Sequence, residues 1–337
     1  MKLRKLLWPL SLVYGAIMAL RNLAFNTGWL PTEQFKTPVI SVGNLSTGGT
    51  GKTPMVEWLL AHLKEMRLGF VSRGYGRNTK GLRLISPQDA PTDIGDEPYQ
   101  VFHKFSMVTS AVSERRALGI KAVIEKSKPQ VIVLDDAFQH RYIVPQLSIL
   151  LTTYSSPFFN DLVLPAGNLR EFASGKKRAH IIIVTKCPDG MSDKRRQYFL
   201  KKIAPGPEQN VFFSGLKYQA PRNHDNEELP TDVTTITLVT GIANTRPMLK
   251  HLKKRFTIKE HLAYPDHHEF SKKDLENISQ CEPPIITTEK DWVRLKTGLK
   301  KLELNEVFYL PMQMEILFNE SEVLQQLIRE NIASGQS

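Results

Sequence analysis

The sequence predicts an α/β fold: a mostly parallel sheet with helices on both faces, joined to a smaller second α/β domain. Three observations predict it. Short, continuously apolar segments alternate with segments of helical period, as in parallel strands buried on both faces. A glycine-rich loop lies between one such strand and the helix after it, the order a phosphate-binding loop needs. A polar stretch near residue 220 divides the chain, and 337 residues allow about two domains at roughly 150 residues each.

The first 30 residues form a unit of their own. Lys2, Arg4 and Lys5 precede an apolar run from Leu6 to Leu20, which Arg21 and Asn22 end. As a helix this run would be roughly 22 Å long, short of the about 20 apolar residues that span a bilayer. Three readings are open: a cleaved signal peptide, a buried N-terminal helix, or an anchor lying in the inner leaflet. No small-x-small cleavage site follows. The anchor reading uses the flanking cations and Trp8 at the headgroup level, and it is the expectation carried forward. Pro9 is tolerated near a helix start.

From 31 to about 220 the elements follow in order. "PVISVGN" is a β-branched strand, the glycine loop comes next, and "PMVEWLLAHLKEM" is apolar at Met55, Trp58, Leu59, Leu63 and Met66, a helical period. "GFVSRGYG" reads as a strand and turn, and "KFSMVTS" as a third strand. Helical "SERRALGIKAVIEKS" leads to the strand "QVIVLDD", and "LSILLTTY" and "HIIIVTKC" are two more buried strands. The stretch "YQAPRNHDNEELPTD" is the expected linker. Residues 221–337 then give the smaller α/β unit, with "VTTITLVTG", a helix near Pro247 to Lys254, "PPIITTEKD" and "NEVFYLPMQM". "VFFSGLKY" and "VFYLPMQM" are expected to pair as a ribbon joining the two units.

The glycine loop, "NLSTGGTGKTP", ends in Gly51, Lys52 and Thr53, as a P-loop does, but Ser46 stands where the first glycine is usual. Its task is to aim backbone N–H groups at a phosphate, at the start of a helix whose dipole also favours anions. Gly48, Gly49 and Gly51 supply the backbone freedom. Ser46, Thr47, Gly48, Gly49, Thr50, Gly51, Lys52, Thr53 and Pro54 are therefore the expected nucleotide-binding residues, in a P-loop NTPase-like domain. Lys52 would reach the terminal phosphates and the Thr53 hydroxyl would ligate Mg2+. "VIVLDDAFQH" ends an apolar strand in Asp135 and Asp136 at the carboxyl edge where such sheets bind ligands, and one of them is expected to reach the metal. "VTKCPD" is close to a guanine-reading motif, but Pro188 occupies its aspartate position and Asp189 comes one residue late, so ATP is expected.

Two further segments carry ionisable groups. "DIGDEP" places Asp93, Asp96 and Glu97 in a loop bounded by Gly and Pro. It is either a surface turn or the source of a carboxylate that takes a proton from an attacking hydroxyl. "YPDHHEF" sets His267 and His268 after Asp266. Two adjacent histidines make a poor metal site, whereas one paired to a catalytic carboxylate is plausible chemistry.

The net charge of +11, from 45 Lys and Arg against 34 Asp and Glu, suits an anionic membrane surface or a phosphorylated substrate. No interleaved basic and aromatic residues point to nucleic acid. Cys187 and Cys281 define neither a disulfide framework nor a metal site.

The loop, "SRGYGR", "GDEP", "LDDAFQHR", "GNLRE", "VTGIANTRP", "DHHEF" and "TTEKDWVRL", taken together and in this order, resemble the tetraacyldisaccharide 4′-kinase family, the lipid A 4′-kinases of Gram-negative bacteria. The resemblance covers most of the chain. It implies a kinase at the cytoplasmic face of the inner membrane that moves the γ-phosphate of ATP to the 4′-hydroxyl of a lipid A precursor, the tetraacylated glucosamine disaccharide 1-phosphate. It implies a catalytic dyad of Asp96 and His267, with His268 the alternative, and Lys52 and Thr53 on the nucleotide. It also implies Asp135 and Asp136 at the metal, with Glu97, Arg116, His140 and Glu171 as further site candidates. Asn168, where proline is expected, and Ala137, where glycine is usual, depart mildly from the pattern. No stable protein partner is expected. The alternative reading is a membrane-attached P-loop ATPase switch acting on a protein partner.

Overall fold

The computed structural model describes residues 3–266, 268–301 and 306–335. Its centre is a nine-stranded sheet. In chain order the strands are β1 (Val39–Asn44), β2 (Leu68–Ser72), β3 (Arg83–Leu84), β4 (Thr109–Val112), β5 (Val131–Leu134), β6 (Leu147–Thr153), β7 (Ile181–Thr185) and β8 (Asn210–Tyr218). A second sheet contains β9 (Thr235–Thr240), β10 (Thr257–Ala263), β11 (Ile285–Thr288) and β12 (Val307–Leu310). The last strand, β13 (Met312–Ile316), returns to the first sheet, whose order is β13-β8-β7-β6-β1-β5-β2-β4-β3. All pairings from β8 to β4 are parallel, and only the edge strands β13 and β3 run antiparallel. The small sheet, ordered β10-β9-β11-β12, is parallel throughout. This is the mixed α/β architecture that the alternation of apolar runs predicts.

The helices are α1 (Trp8–Asn26), α2 (Lys52–His62), α3 (Pro91–Ile94), α4 (Asp96–Lys104), α5 (Arg116–Ser127), α6 (Asp193–Ile203), α7 (Arg246–Leu252), α8 (Lys272–Ser279), α9 (Glu289–Lys301) and α10 (Ser321–Ser334). Period-two alternation sorts β1 between the two faces. Ile40 and Val42 join Met55 and Leu59 of α2 and Leu324, Ile328 and Ile332 of α10 in one core layer. Val39 faces the other way, with Ile120 and Val123 of α5. On the same sheet, Phe199 and Ile203 of α6 pack with Ile182, Val184 and Phe213.

The expected ribbon forms in altered shape. Pro311 divides "VFYLPMQM": the first half is β12 in the small sheet, and only the second half, β13, pairs with β8, with Met312 opposite Tyr218. Residues 312–335, which the sequence groups with the smaller unit, therefore lie on the large sheet. "GDEP" opens a helix rather than a loop, because Pro98 falls within the first turn of α4, where a missing N–H costs little.

Helix α1 is strapped along one side of the large unit. The Ala166 N–H donates to Ser11 Oγ (2.9 Å), Arg21 donates to the Gln139 carbonyl (3.2 Å) and Arg141 to the Asn22 carbonyl (2.7 Å). Phe25 is buried, edge-on to Tyr142. The other side exposes Leu10, Val13, Ile17 and Leu20, one stripe at three- and four-residue spacing, together with Trp8, Leu12 and Leu23, and Leu6 is exposed in the 3-10 turn before the helix. Among the described residues, no helix is long and apolar enough to cross a membrane.

Candidate active site

The site is built at the carboxyl edge of the large sheet, where β1 ends between β5 and β6, a topological switch point. The glycine loop leaves β1 and enters α2 at Lys52. Gly48 and Gly51 hold φ of 101° and 88°, which L side chains rarely adopt, so glycine is required at both. The loop is braced from outside. Asn44 Nδ2 donates to Thr50 Oγ1 (2.8 Å), Thr185 Oγ1 to the Thr50 carbonyl (2.7 Å) and Lys186 Nζ to the Gly49 carbonyl (2.6 Å). The Thr47 N–H donates to the Asn168 carbonyl (2.8 Å), and Ser46 bridges Leu169. Ser46 thus meets the "GNLRE" segment at the position where a P-loop usually has glycine.

Strand β5 lies beside β1 and delivers Asp135 and Asp136 to the loop. Lys52 Nζ stands 3.6 Å from Asp136 Oδ1, and Arg170 Nη1 reaches the same oxygen at 3.2 Å. Asp135 is buried and accepts a hydrogen bond from Ser72 Oγ (3.1 Å). Burial raises its carboxyl to about 6, with Lys52 opposing the shift and Asp136 and Glu97 adding to it. Its Oδ1 is buried with no hydrogen-bond partner among the described residues. An unmet carboxylate oxygen beside a second carboxylate and the start of a P-loop helix fits a divalent cation. Among the described residues, no group of three His, Cys, Asp or Glu side chains forms a metal cage. The set of Asp135, Asp136 and Thr53 therefore fits Mg2+, which keeps waters and phosphate oxygens in its shell.

Arg116 is buried. It donates to the Ser113 carbonyl (3.0 Å) and, at 3.5 Å, to the carbonyl of Asp136, whose φ of 45° is uncommon outside glycine. Burial brings its guanidinium down to about 10, so it stays charged. His140 is pushed down to about 4, first by burial and then by Arg116, Arg21 and Arg73, and is a neutral imidazole at pH 7. Glu171 is buried away from the loop's mouth. It accepts from Arg178 (2.8 Å), Asn22 (2.7 Å) and Gln139 (3.2 Å), so it ties α1 to the domain. Its neighbour Arg170 is the residue of this segment that reaches the carboxylates beside the loop, at Asp136. The motif "GNLRE" pointed to the segment, but only the fold shows which side chain faces the site.

Asp96 opens α4. Arg294 of α9 donates to Asp96 Oδ2 from Nε (3.0 Å) and from Nη2. Glu97 pairs with Lys290 (3.5 Å), and its charge also reaches Asp135. Asp93 belongs to α3, where its carboxylate accepts the Ala90 N–H (3.0 Å). His268 stacks on Tyr264, and its Nε2 lies 3.1 Å from Asp274 Oδ2 at the start of α8. His267 lies outside the described residues. Arg294, on Asp96, and Arg170, on Asp136, are neighbours of the candidate residues that sequence reasoning missed.

Comparison with known proteins places the architecture in a family. The model of the family described as tetraacyldisaccharide-1-P 4′-kinase matches residues 3–333. The tetraacyldisaccharide 4′-kinase of Bacteroides thetaiotaomicron is 41% identical over 359 residues, covering 98% of this chain and 94% of that protein. The protein of the same name from Flavobacterium johnsoniae is 39% identical, covering 98% of each. Among solved structures, LpxK from Aquifex aeolicus, crystallised in complex with ATP, superposes with a TM-score of 0.80 at 30% identity, covering 98% of this chain and 99% of that one. Likeness in sequence and in fold runs through nearly the whole length, and on that ground the chain belongs to the tetraacyldisaccharide-1-P 4′-kinase family.

Proposed function

We infer that this chain transfers the γ-phosphate of ATP to the 4′-hydroxyl of a tetraacylated glucosamine disaccharide 1-phosphate, giving the 4′-phosphorylated lipid A precursor. The observation that carries the reading is the braced glycine loop with Lys52 and the Asp135–Asp136 pair at its mouth. The loop's N–H groups and Lys52 hold the β- and γ-phosphates. Thr53, Asp135 and Asp136 would hold Mg2+, which would supply charge neutralisation on the terminal phosphates. Asp96 accepts the proton of the 4′-hydroxyl as its oxygen bonds to the γ-phosphorus and the bond to ADP breaks. His267 is the proposed partner of Asp96. Supporting it over His268 is the commitment of the His268 ring to Asp274 and Tyr264. The division into an N-terminal segment 1–30, a kinase unit of 31–220 joined by the returning 312–335, and a smaller unit between them gives the site two walls that can close on the lipid headgroup and exclude water.

The deciding experiment supplies the purified protein with ATP, Mg2+ and the 1-phosphorylated tetraacyl disaccharide in detergent. A 1,4′-bisphosphorylated product, absent without ATP, is expected. Folded protein that makes no product, or that hydrolyses ATP equally well without the lipid, would instead favour the ATPase switch.

The exposed apolar stripe of α1 supports seating at the cytoplasmic face of the inner membrane, with the basic surface against anionic headgroups. Each buried Leu, Val or Ile contributes about 1.5 kcal/mol or more to partitioning. The triple variant Leu10→Glu, Val13→Glu, Ile17→Glu is therefore expected to bind phosphatidylglycerol-containing vesicles at least about 100-fold more weakly. Its Tm should not change, since these side chains are exposed. Undiminished co-sedimentation of the variant with vesicles would remove α1 as the anchor.

A further inference from the structure

We propose that Arg294 is a positioning residue for Asp96, carried by the smaller unit, so that the base acquires its working geometry only when the two units are together. The proposal rests on the reading of Asp96 as the base. Asp96 stands on α4 in the large unit, and Arg294 stands on α9, 198 positions later in the chain. Two N–H groups of one planar guanidinium converge on Asp96 Oδ2, which holds that oxygen in place more firmly than a single-donor side chain could. The arginine side chain is only 8% exposed.

Arg294 is itself held from behind, by its own unit. Its Nη1 donates to the His268 carbonyl (3.4 Å) and lies 3.6 Å from Asp291 Oδ1. Asp291 is fully buried at the start of α9. Its Oδ2 accepts the Gly241 N–H (2.8 Å) and the Thr288 hydroxyl (2.6 Å). Its Oδ1 has no hydrogen-bond partner among the described residues and faces Arg294 as an ion pair. A Cβ on Gly241 would come within 2.9 Å of that oxygen, which is why the backbone there carries no side chain. "VTGIANTRP", "DHHEF" and "TTEKDWVRL" thus converge through Gly241, His268, Thr288 and Asp291 on one arginine aimed at "GDEP".

The neighbouring pairs between the two helices do a different job. Lys290 with Glu97, and Lys104 with Glu289, hold α4 against α9, and Lys104 also pairs with Glu57 of α2. An arginine set between two carboxylates is a poor way to gain interface stability, since apolar packing of similar volume does as well or better. Its geometry suits orientation.

The test is a double-mutant cycle between Arg294→Gln and Asp96→Asn, read as kcat, KM for each substrate and Tm. In the parent, Arg294→Gln should lower kcat about 10- to 100-fold, as a misplaced catalytic group does, with the KM for ATP within about twofold. Arg294→Lys should recover part of the loss. In the Asp96→Asn background, Arg294→Gln should change the residual rate by less than about twofold, because the group it positions is already gone. Equal losses in both backgrounds, or a parent kcat within about twofold, would overturn the proposal. An Asp96→Asn enzyme with full activity would instead overturn the reading of Asp96 as base, and the two failures are separable.

Discussion

Replacing Lys52 by alanine is expected to lower phosphoryl transfer by about 10²- to 10³-fold or more, the usual cost of deleting one preorganised cation or donor aimed at developing charge. Lys52 is the first residue of α2 and stands opposite Asp136, so its ammonium lies between the loop and the carboxylates that end β5. The nearby Lys186 does not replace it. That ammonium is spent on the Gly49 carbonyl, and burial together with the Lys52 charge moves it below the ordinary lysine range. Lys52→Arg should not restore activity either, because a branched planar cation does not fit a position built for a compact one. The check is transfer of labelled γ-phosphate to the lipid acceptor, alongside nucleotide affinity from a fluorescent ATP analogue. Turnover of the alanine variant within about threefold of the parent would mean that the loop does not work as a phosphate clamp.

How far the site could be read from the sequence follows from the range of the interactions involved. The β1–loop–α2 unit and the acid-ended β5 were legible because each is local: an apolar run, a break and a helix start, all within about ten residues. The fold class followed from the same local signals, since strands buried on both faces must be nearly all apolar. What could not be read depends on tertiary approach. Nothing near Arg294 in the chain marks it as the partner of Asp96. "GNLRE" led to Glu171 and not to its neighbour Arg170. Only the packing of 161–178 against α1 decides that the carboxylate turns inward to Asn22 and Arg178 while the guanidinium turns to Asp136. The split of "VFYLPMQM" between two sheets has a local cause, Pro311, whose missing N–H ends one ladder, but which sheet takes each half is set by long-range pairing.

The substitution Asp96→Asn is expected to lower kcat by about 10²- to 10⁴-fold, the range for removal of a general base, with little change in ATP affinity. Two features separate chemistry from stability here. First, Asp96 belongs to α4, whereas the loop's braces come from Asn44, Thr185 and Lys186, so the nucleotide cradle does not depend on it. Second, the amide oxygen of asparagine still accepts from Arg294, and Arg294 keeps Asp291 as its counter-charge, so the contact between the units loses charge but not its hydrogen bonds. A change in Tm of no more than a few degrees is therefore expected beside a large loss of kcat. The asparagine side chain cannot take a proton at neutral pH, so the loss should persist at saturating lipid and ATP. If kcat falls less than about threefold, the proton of the 4′-hydroxyl goes elsewhere, and the cross-unit arginine has no base to position.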